Sequence, residues 1–394
     1  MNKWIAGLFA MALVAGVARA DVGAPAPSAK DLDKVVTDVN FVETAKAGVV
    51  LSGYVDVGYI YNFAGNTGAN RRGGNDGVAK GDFNVNAVKL TLEKGLTDAN
   101  ELQAGFRVDL MMGEDIATNG GNAGPGVLSG DSLLVEQAYV VIRAPYGNGI
   151  DIKAGKFVTW LGYEVIERPA NLNITYGNLF FNTIPLYHTG VSAEYAFTDQ
   201  VDGGIAITNG FNNDSTGAVA GNSEDGYGVM AKLNITNEGG NANWYNAIYY
   251  GFGNGGLGAG AEEDTFIWDT WGNWAPTFAD DKLLLGFNAD LGLQNDYTYW
   301  GAALYAKYQF TDVFSLAGRA DYLHSDSNGG AFNTTTGAPN GGTGSTDTFS
   351  YTITAGFDLL ENLLVRAEYR VDLDTDLVTD DMLHTIALQA VYTF

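Results

Sequence analysis

The chain has 394 residues, and its 46 Asp and Glu side chains outnumber 21 Lys and Arg, which gives a formal net charge of −25. That charge excludes a nucleic-acid binder that works by neutralising phosphates, because such a protein needs a basic face. The absence of cysteine excludes disulfide scaffolds, thiolate metal sites and cysteine nucleophiles. Aromatic residues at 12%, together with 53 glycines, favour a β-protein with many turns.

The N-terminus has the pattern of an export signal. Lys3 precedes an apolar run at residues 4–17, and residues 18–20 (Ala-Arg-Ala) have the small-x-small form of a cleavage site. This order predicts a signal peptide at residues 1–20 that is removed on secretion. The alternative, a membrane anchor, is disfavoured because the run is shorter than the about 20 residues that a spanning helix needs. Residues 21–48 are predicted to form an N-terminal leader with a short amphipathic helix.

The hydrophobic period is two over the rest of the chain, residues 49–394. In residues 102–110, for example, apolar side chains at even positions alternate with polar and charged ones at odd positions. Aromatic residues stand at both ends of the apolar faces, as Trp300 and Phe310 do. A soluble sandwich also alternates, but the aromatic ends and the mid-strand charges favour transmembrane strands around a water-filled interior.

The connections alternate between short turns and long loops, as in outer-membrane barrels. The short turns are predicted at residues 96–100, 145–149, 198–200, 237–241, 278–281, 311–313 and 361–362. The long connections are predicted at about 64–81, 115–130, 160–186, 211–223, 253–262, 327–346 and 374–382. Seven turns join eight hairpins, so the prediction is an all-β fold, a transmembrane antiparallel up-and-down β-barrel of about 16 strands, with 14 or 18 left open.

The last predicted strand indicates the destination of the chain. It reads LHTIALQAVYTF, and its outward face ends in Tyr392 and Phe394. A terminal Phe after an alternating strand resembles the signal that the outer-membrane barrel assembly machinery reads. The predicted location is therefore a bacterial outer membrane, with its lipid and lipopolysaccharide as partners.

Four segments resemble a known family. They are SGYVDVGYIYNF at 52–63, EQAYVVIRAPYGNGIDIKAGKFVTWLGYEVIE at 136–167, IPLYHTGVSAEYAF at 184–197 with ITNGFNN at 207–213, and VRAEYRVD at 365–372. These segments look like the outer-membrane β-barrel porins called OmpL-like, and the middle run is the most specific of them. The resemblance implies a pore-forming outer-membrane protein and names no substrate.

Little in the sequence points to catalysis or to a metal. None of the three histidines, His188, His324 and His384, lies in the His-x-Ser or Asp-x-His pattern of barrel lipases and proteases, so no enzyme and no cofactor are predicted. Aspartates crowd residues 372–381, but the glycine and the glutamate of an EF-hand are missing. This loop is predicted to be solvated, or to bridge lipopolysaccharide phosphates through divalent ions, and no metal site is predicted.

The polar face of the strands predicts a lumen wall of mixed charge. The inward bases are Lys89, Arg107, Lys153, Lys232, Lys307, Arg319, Arg366 and Arg370. The inward acids are Asp56, Glu93, Asp109, Asp151, Glu194, Asp202, Asp269, Asp290, Asp321, Asp358, Glu368 and Asp372. From these sets, the candidate pore-lining residues are Lys89, Arg107, Asp109, Lys153, Arg319, Asp321, Arg366, Glu368 and Arg370. Opposite charges on such a wall form salt-bridged ladders with a transverse field across the water column, or they only stabilise the barrel.

The connection at residues 160–186 differs from the others in chemistry. It carries Glu164, Glu167 and Arg168, and the aromatic residues Tyr176, Phe180 and Phe181. In general porins the third loop folds into the lumen and narrows it. The prediction is a constriction whose two glutamates face cations of nearby strands, namely Lys89, Arg107 and Lys153. The alternative is a loop that folds over the barrel mouth.

Three functions remain open on the sequence. The first is a porin for passive diffusion of small hydrophilic solutes and ions, with a mild cation preference because acids exceed bases. The second is a substrate-specific channel for sugars or an anionic nutrient, with Tyr245, Tyr249 and Trp271 as a stacking track. The third is a non-transport barrel that serves as an adhesin or structural anchor. A homotrimer is a possible assembly, and no nucleic-acid partner is expected.

Overall fold

The computed structural model describes residues 48–63, 81–115, 133–209, 227–252, 264–279, 282–294, 297–326, 346–374 and 382–394. Sixteen β-strands dominate these residues. They are β1 (Val50–Asn62), β2 (Asp82–Lys94), β3 (Gln103–Met112), β4 (Leu134–Ala144), β5 (Ile150–Val158), β6 (Tyr187–Ala196), β7 (Val201–Thr208), β8 (Tyr227–Thr236), β9 (Ala242–Phe252), β10 (Thr265–Trp274), β11 (Leu283–Gln294), β12 (Tyr297–Gln309), β13 (Phe314–Asp326), β14 (Thr346–Leu360), β15 (Leu363–Asp374) and β16 (Leu383–Thr393).

Helical segments are short. Helix α1 is Asn178–Asn182, and single turns of 3-10 helix lie at Arg168–Ala170 and Thr277–Ala279. None of the helices in the described part of the chain has the length and hydropathy that a membrane-spanning helix requires.

Each strand pairs antiparallel with its neighbour in sequence, and β1 pairs with β16, so the sheet closes into a barrel of sixteen strands. The predicted fold class is confirmed, and the count is decided among the 14, 16 and 18 that the sequence left open. Closure occurs where Gly53 and Phe394 exchange two backbone hydrogen bonds of 2.9 and 3.0 Å. A closed barrel pairs every strand edge, which a sheet in lipid requires.

The period-two pattern sorts side chains between lipid and lumen as predicted. On the outer face, the interfacial residues Trp300 and Phe310 are 46% and 51% exposed, and Tyr392 and Phe394 are 50% and 49% exposed. The predicted inward bases and acids lie on the opposite face, where most of them are buried against one another and against a loop. The outer apolar face therefore contacts lipid, and the charge lies inside.

The seven short turns lie where the sequence predicts them, between the strands of each hairpin. A threonine closes several of them from its side chain. Thr198 Oγ1 accepts hydrogen bonds from the N–H groups of Gln200 and Val201 at 3.1 and 3.0 Å, and Thr311 Oγ1 accepts one from Phe314 N–H at 3.0 Å. These bonds satisfy turn N–H groups that no strand partner reaches, which explains the recurring Thr-Asp pair.

Three register shifts interrupt the pairing of the described strands. The first shifts β1 against β2 at Asp56/Val57, the second is a bulge that shifts β3 against β4 at Asp109/Leu110, and the third shifts β14 against β15 at Asp358/Leu360. The bulge at Asp109/Leu110 leaves Glu136 out of the pairing and turns its fully buried carboxylate inward. Strict alternation missed Glu136 as an inward acid, because an extra residue in one strand reverses the face of those beyond it.

Several sequence predictions fall outside the described residues. These are the signal peptide at residues 1–20, the leader and its helix up to residue 47, and the acidic loop at 375–381. They stay predictions.

Candidate functional site: a loop pinned across the lumen

Loop L3, residues 159–186, connects β5 to β6 and lies inside the barrel, in contact with inward side chains of distant strands. Asn173 Nδ2 donates to Thr354 Oγ1 of β14 at 2.7 Å. Tyr299 of β12 donates from its hydroxyl to the carbonyl oxygen of Thr183 at 2.5 Å. Of the two placements that the sequence allowed, the loop takes the one within the lumen.

Glu164 binds the wall at β13. Arg319 Nη1 donates to Glu164 Oε1 at 2.5 Å and to the carbonyl of Thr175 at 2.7 Å, and Arg319 Nε lies 2.9 Å from Asp321 Oδ2. The N–H of Gly177 donates to the other Glu164 oxygen at 2.6 Å. Burial raises the pKa of the Glu164 carboxyl above its usual value, and Arg319 offsets only part of that rise.

Glu167 binds the lumen wall at another strand, β2. Its carboxylate accepts a short hydrogen bond from Lys89 Nζ, which also lies 3.0 Å from Glu136 Oε1 and 3.2 Å from Asp109 Oδ2. Burial by itself would raise the pKa of Glu167, but the adjacent Lys89 ammonium outweighs it and holds that pKa below its usual value.

Arg168 binds the loop to Asp115, which lies just after the end of β3. Its guanidinium donates to both oxygens of Asp115 at 2.6 and 3.0 Å and to the carbonyl of Ile174 at 2.8 Å, and it lies 4.2 Å from the centre of the Tyr176 ring. Burial would lower the pKa of Arg168, yet Asp115 raises it, so the charge persists. The side chain is fully buried and supports the loop from within.

Strand β15 binds the backbone of the loop. Glu368 accepts hydrogen bonds from the N–H groups of Ile174 and Thr175 at 2.5 and 3.0 Å. Arg366 donates to the carbonyls of Arg168 and Asn171 at 2.9 and 2.6 Å.

Arg370, on the same strand, donates to the carbonyl of Tyr176 at 2.5 Å and pairs with Asp372 at 2.7 Å. Buried backbone groups of an irregular loop need such partners, and here charged side chains supply them.

Two carboxylates on β10 and β11 contact the returning arm of the loop. Asp269 and Asp290 stand directly opposite each other, both buried. Asn288 Nδ2 donates to Asp269 at 2.6 Å and to Asp290 at 3.2 Å, and the hydroxyl of Thr183 donates to Asp290. The loop is thus hydrogen-bonded to this acidic pair near its C-terminal end.

The aromatic residues of the lumen pack rather than line an open track. Tyr176 stacks on Phe180 with ring centres 4.3 Å apart, so the loop has the packed aromatic core that its composition suggested. Tyr245 stacks on Trp271 at 4.7 Å, and Tyr249 is fully buried. Trp271 also contacts Tyr163 of the loop, and Tyr249 stacks on His188 of β6, so these three rings pack against protein.

The structure brings together only part of the predicted constriction. Glu167 meets Lys89 as predicted, but Glu164 meets Arg319 instead of Lys89, Arg107 or Lys153. Two other predicted cations hold wall acids: Arg107 Nε lies 2.9 Å from Asp109, and Lys153 Nζ lies 3.3 Å from Glu194. The reason is the path of the loop, whose neighbouring residues contact strands that are far apart around the barrel.

A cavity of about 410 Å³ lies beside the loop, between residues 169–172 and the strands β12 to β16. Among the charged side chains that line it, three are acids and two are bases. They are Asp312, Asp358, Glu361, Lys307 and Arg366. Polar and charged walls of this kind hold water and small hydrophilic solutes.

The sequence matches the family model of the OmpL-like beta-barrel porin-2 proteins over residues 48–393. The chain belongs to this porin family. No curated protein matches its sequence. A porin of this family is an outer-membrane channel, which agrees with the charged lumen and the lipid-facing belt described above.

Solved barrels share the fold of this porin at low sequence identity. The outer membrane channel DcaP of Acinetobacter baumannii is 13% identical, with a TM-score of 0.59 over 88% of this chain and 97% of that one. OprB of Pseudomonas putida is 13% identical, with a TM-score of 0.58 over 91% and 97%. OmpT of Vibrio cholerae in its trimer form is 11% identical, with a TM-score of 0.57 over 88% and 99%.

Proposed function

We propose that this porin lets small hydrophilic solutes and ions diffuse passively, with a mild preference for cations. The observation that carries the proposal is the polar lumen of a closed sixteen-strand barrel, crossed by a loop whose charges are bound by the wall. Barrels of this size enclose an aqueous channel unless something fills it. The pinned loop narrows that channel at one level.

The cation preference rests on the excess of acids. The inward face of the strands is predicted to carry twelve acids against eight bases, and loop L3 adds Glu164 and Glu167 against Arg168. A wall with excess fixed negative charge lowers the energy of cations and raises that of anions. Screening over about 8 Å at physiological salt confines this effect to the narrow part of the pore.

Glu164 and Glu167 are the acids to test, because each lies against a cation of the wall and its removal leaves Arg319 or Lys89 with one carboxylate fewer. In planar bilayers with a salt gradient, the wild-type reversal potential should lie on the cation side and weaken as salt is raised. The double change Glu164→Gln with Glu167→Gln should move it toward anions. The matched control, Asp98→Asn with Asp199→Asn, removes two exposed turn acids and should move it much less.

A wild-type reversal potential on the anion side would show that the arginines Arg107, Arg319, Arg366 and Arg370 dominate the pore. The same recordings separate the other functions. Conductance that one sugar or anion blocks would indicate a specific channel. A closed barrel would indicate an adhesin or an anchor.

The remaining assignments follow from the outer-membrane location. Residues 1–20 would be the export signal, and Tyr392 with Phe394 would be read by the barrel assembly machinery. Lipopolysaccharide would contact the outer face, and a homotrimer would be the assembly. Of the three histidines, His188 is buried, His324 Nδ1 lies 2.8 Å from Asp347, and His384 Nδ1 lies 2.6 Å from the Tyr369 hydroxyl.

A further inference from the structure

Lys89 occupies an unusual position in the lumen wall. Its side chain is 2% exposed, and its ammonium contacts one carboxylate from each of three segments. They are Asp109 of β3, Glu136 of β4 and Glu167 of loop L3. The lysine itself comes from β2, so this cluster joins three strands of the wall to the loop.

The three carboxylates form the donor set of a cation cage. Each offers an oxygen, and the three oxygens lie within 4.8 Å of one another. Glu136 Oε2 is buried without a hydrogen-bond partner, and Arg107 neutralises Asp109 from its other side at 2.9 and 3.0 Å. The Lys89 ammonium is thus the one cation that contacts all three carboxylates, and without it their buried negative charge would lack its shared partner.

The three carboxylates and Lys89 decide where the part of the loop around Glu167 can lie. Glu167 is the member that comes from L3, whereas Asp109 and Glu136 are fixed in the wall. Without a cation between them, the wall carboxylates would repel Glu167 and drive it into the lumen. With a cation between the three carboxylates, Glu167 and its part of the loop are held against β2.

We propose that Lys89 is a positioning residue for L3, acting as a tethered cation in a site whose ligands suit a divalent metal ion. The proposal rests on the proposed passive pore, since its main readout is conductance. It makes two linked statements. Removing the ammonium releases the segment of the loop around Glu167, and a divalent cation in solution can then take its place, because carboxylate oxygens are the ligands that Ca²⁺ binds.

The test is the variant Lys89→Ala in planar bilayers, with a chelator or with millimolar Ca²⁺. In chelator, the variant should conduct more than the wild type and fluctuate more between levels. Added Ca²⁺ should return it toward the wild-type level, while the wild type should not respond. The matched control, Lys282→Ala, removes an exposed lysine from a turn and should behave as the wild type.

Two further variants separate this role from general damage. Glu167→Gln keeps Lys89 but releases the loop, so it should raise conductance without any response to Ca²⁺. Lys89→Ala combined with Glu136→Gln should lose the rescue, because the cage is then incomplete. Equal conductance of Lys89→Ala and the wild type, or no difference between the single and double variants in Ca²⁺, would overturn the proposal.

A second readout does not need a conducting pore. Ca²⁺ should raise the temperature at which folded Lys89→Ala unfolds in detergent, by binding the folded state alone, and should leave the wild type and the double variant unchanged. If the wild type does not conduct but this shift is seen, the proposed passive-pore function is wrong and the proposal for Lys89 and its three carboxylates is supported. If the wild type conducts and the shift is absent, the cage fails alone.

Discussion

At the scale of single residues, this porin binds its loop with buried charge. Glu164, Glu167 and Arg168 are buried, and each has a counter-ion from a different part of the wall. Such pairs add little net stability, since desolvation offsets much of their attraction, but they are demanding about geometry. Their role is therefore to fix where L3 lies.

Removing one member of a buried pair should be costly. Arg319→Met would leave Glu164 and Asp321 without their cation, which costs about 3–5 kcal/mol for a buried pair broken from one side. The temperature at which the folded gel band disappears should fall. Lys282→Met, which deletes an exposed charge, serves as the control. Equal transition temperatures for the two variants would show that Arg319 does not support the loop.

Acid should weaken the contact at Glu167. Its pKa is lowered in the folded protein, so the Lys89 contact contributes stability above the unfolded value of about 4.3 and loses it as the pH falls through the lower folded value. The pKa of Glu164 is raised, so that group does not add to this loss. The unfolding temperature of the wild type should fall between about pH 5 and pH 3 more than that of Glu167→Gln.

The exposed turn residue Glu238 supplies the control for the acid experiment. Glu238→Gln should keep the full wild-type pH dependence over the same range. If Glu167→Gln and Glu238→Gln follow the wild-type curve equally, the loop contact contributes nothing to acid stability.

At the scale of elements, the first and last strands close the barrel. Gly53 lies where β1 meets both β2 and Phe394, and a Cβ there would stand 2.1 Å from the Lys89 carbonyl oxygen and 2.8 Å from the Phe394 ring. Contacts that short force the strands apart. This glycine is needed for the close approach of three strands, β1, β2 and β16.

Gly53→Val should therefore impair closure of β1 on β16. We expect less folded protein in outer-membrane fractions, with the unfolded form retained in the periplasm. Gly95→Val is the matched control, because a Cβ at Gly95 meets nothing within 4 Å. Equal yields of folded protein from both variants would contradict the crowding at Gly53.

At the scale of the whole molecule, we expect closure to make the barrel resistant to mild detergent. Every strand has two hydrogen-bonded neighbours, so no edge is open to solvent or to lipid. The polar lumen and the apolar belt then fix the orientation of each strand in the membrane. Loop L3 adds cross-links from one side of the lumen to the other.

The porin should be heat-modifiable as a consequence. Unboiled samples in SDS should migrate as a compact folded form, and boiled samples as the unfolded chain. Far-UV circular dichroism in detergent should show a β spectrum. Identical migration before and after boiling, together with a helical spectrum, would contradict the closed barrel.

The amino-acid sequence by itself determined the barrel wall. Strands, turns and the faces of the strands follow from residues close together in the chain, because lipid outside and water inside impose a period of two on every strand. Thr198 and Thr311 likewise close turns that the sequence located. The inward position of Lys89, Arg319 and Glu368 required no knowledge of their partners.

Only the tertiary structure decided how the loop is held. Glu164 and Glu167 are three residues apart, yet they reach β13 and β2, and no local pattern specifies which cation each one meets. Glu136 faces the lumen because of a β-bulge, and the bulge depends on how β3 and β4 pair. Contacts across the lumen depend on the path of L3 and on the desolvation of each charge. Both the path and the desolvation exist only once the barrel has closed around the loop.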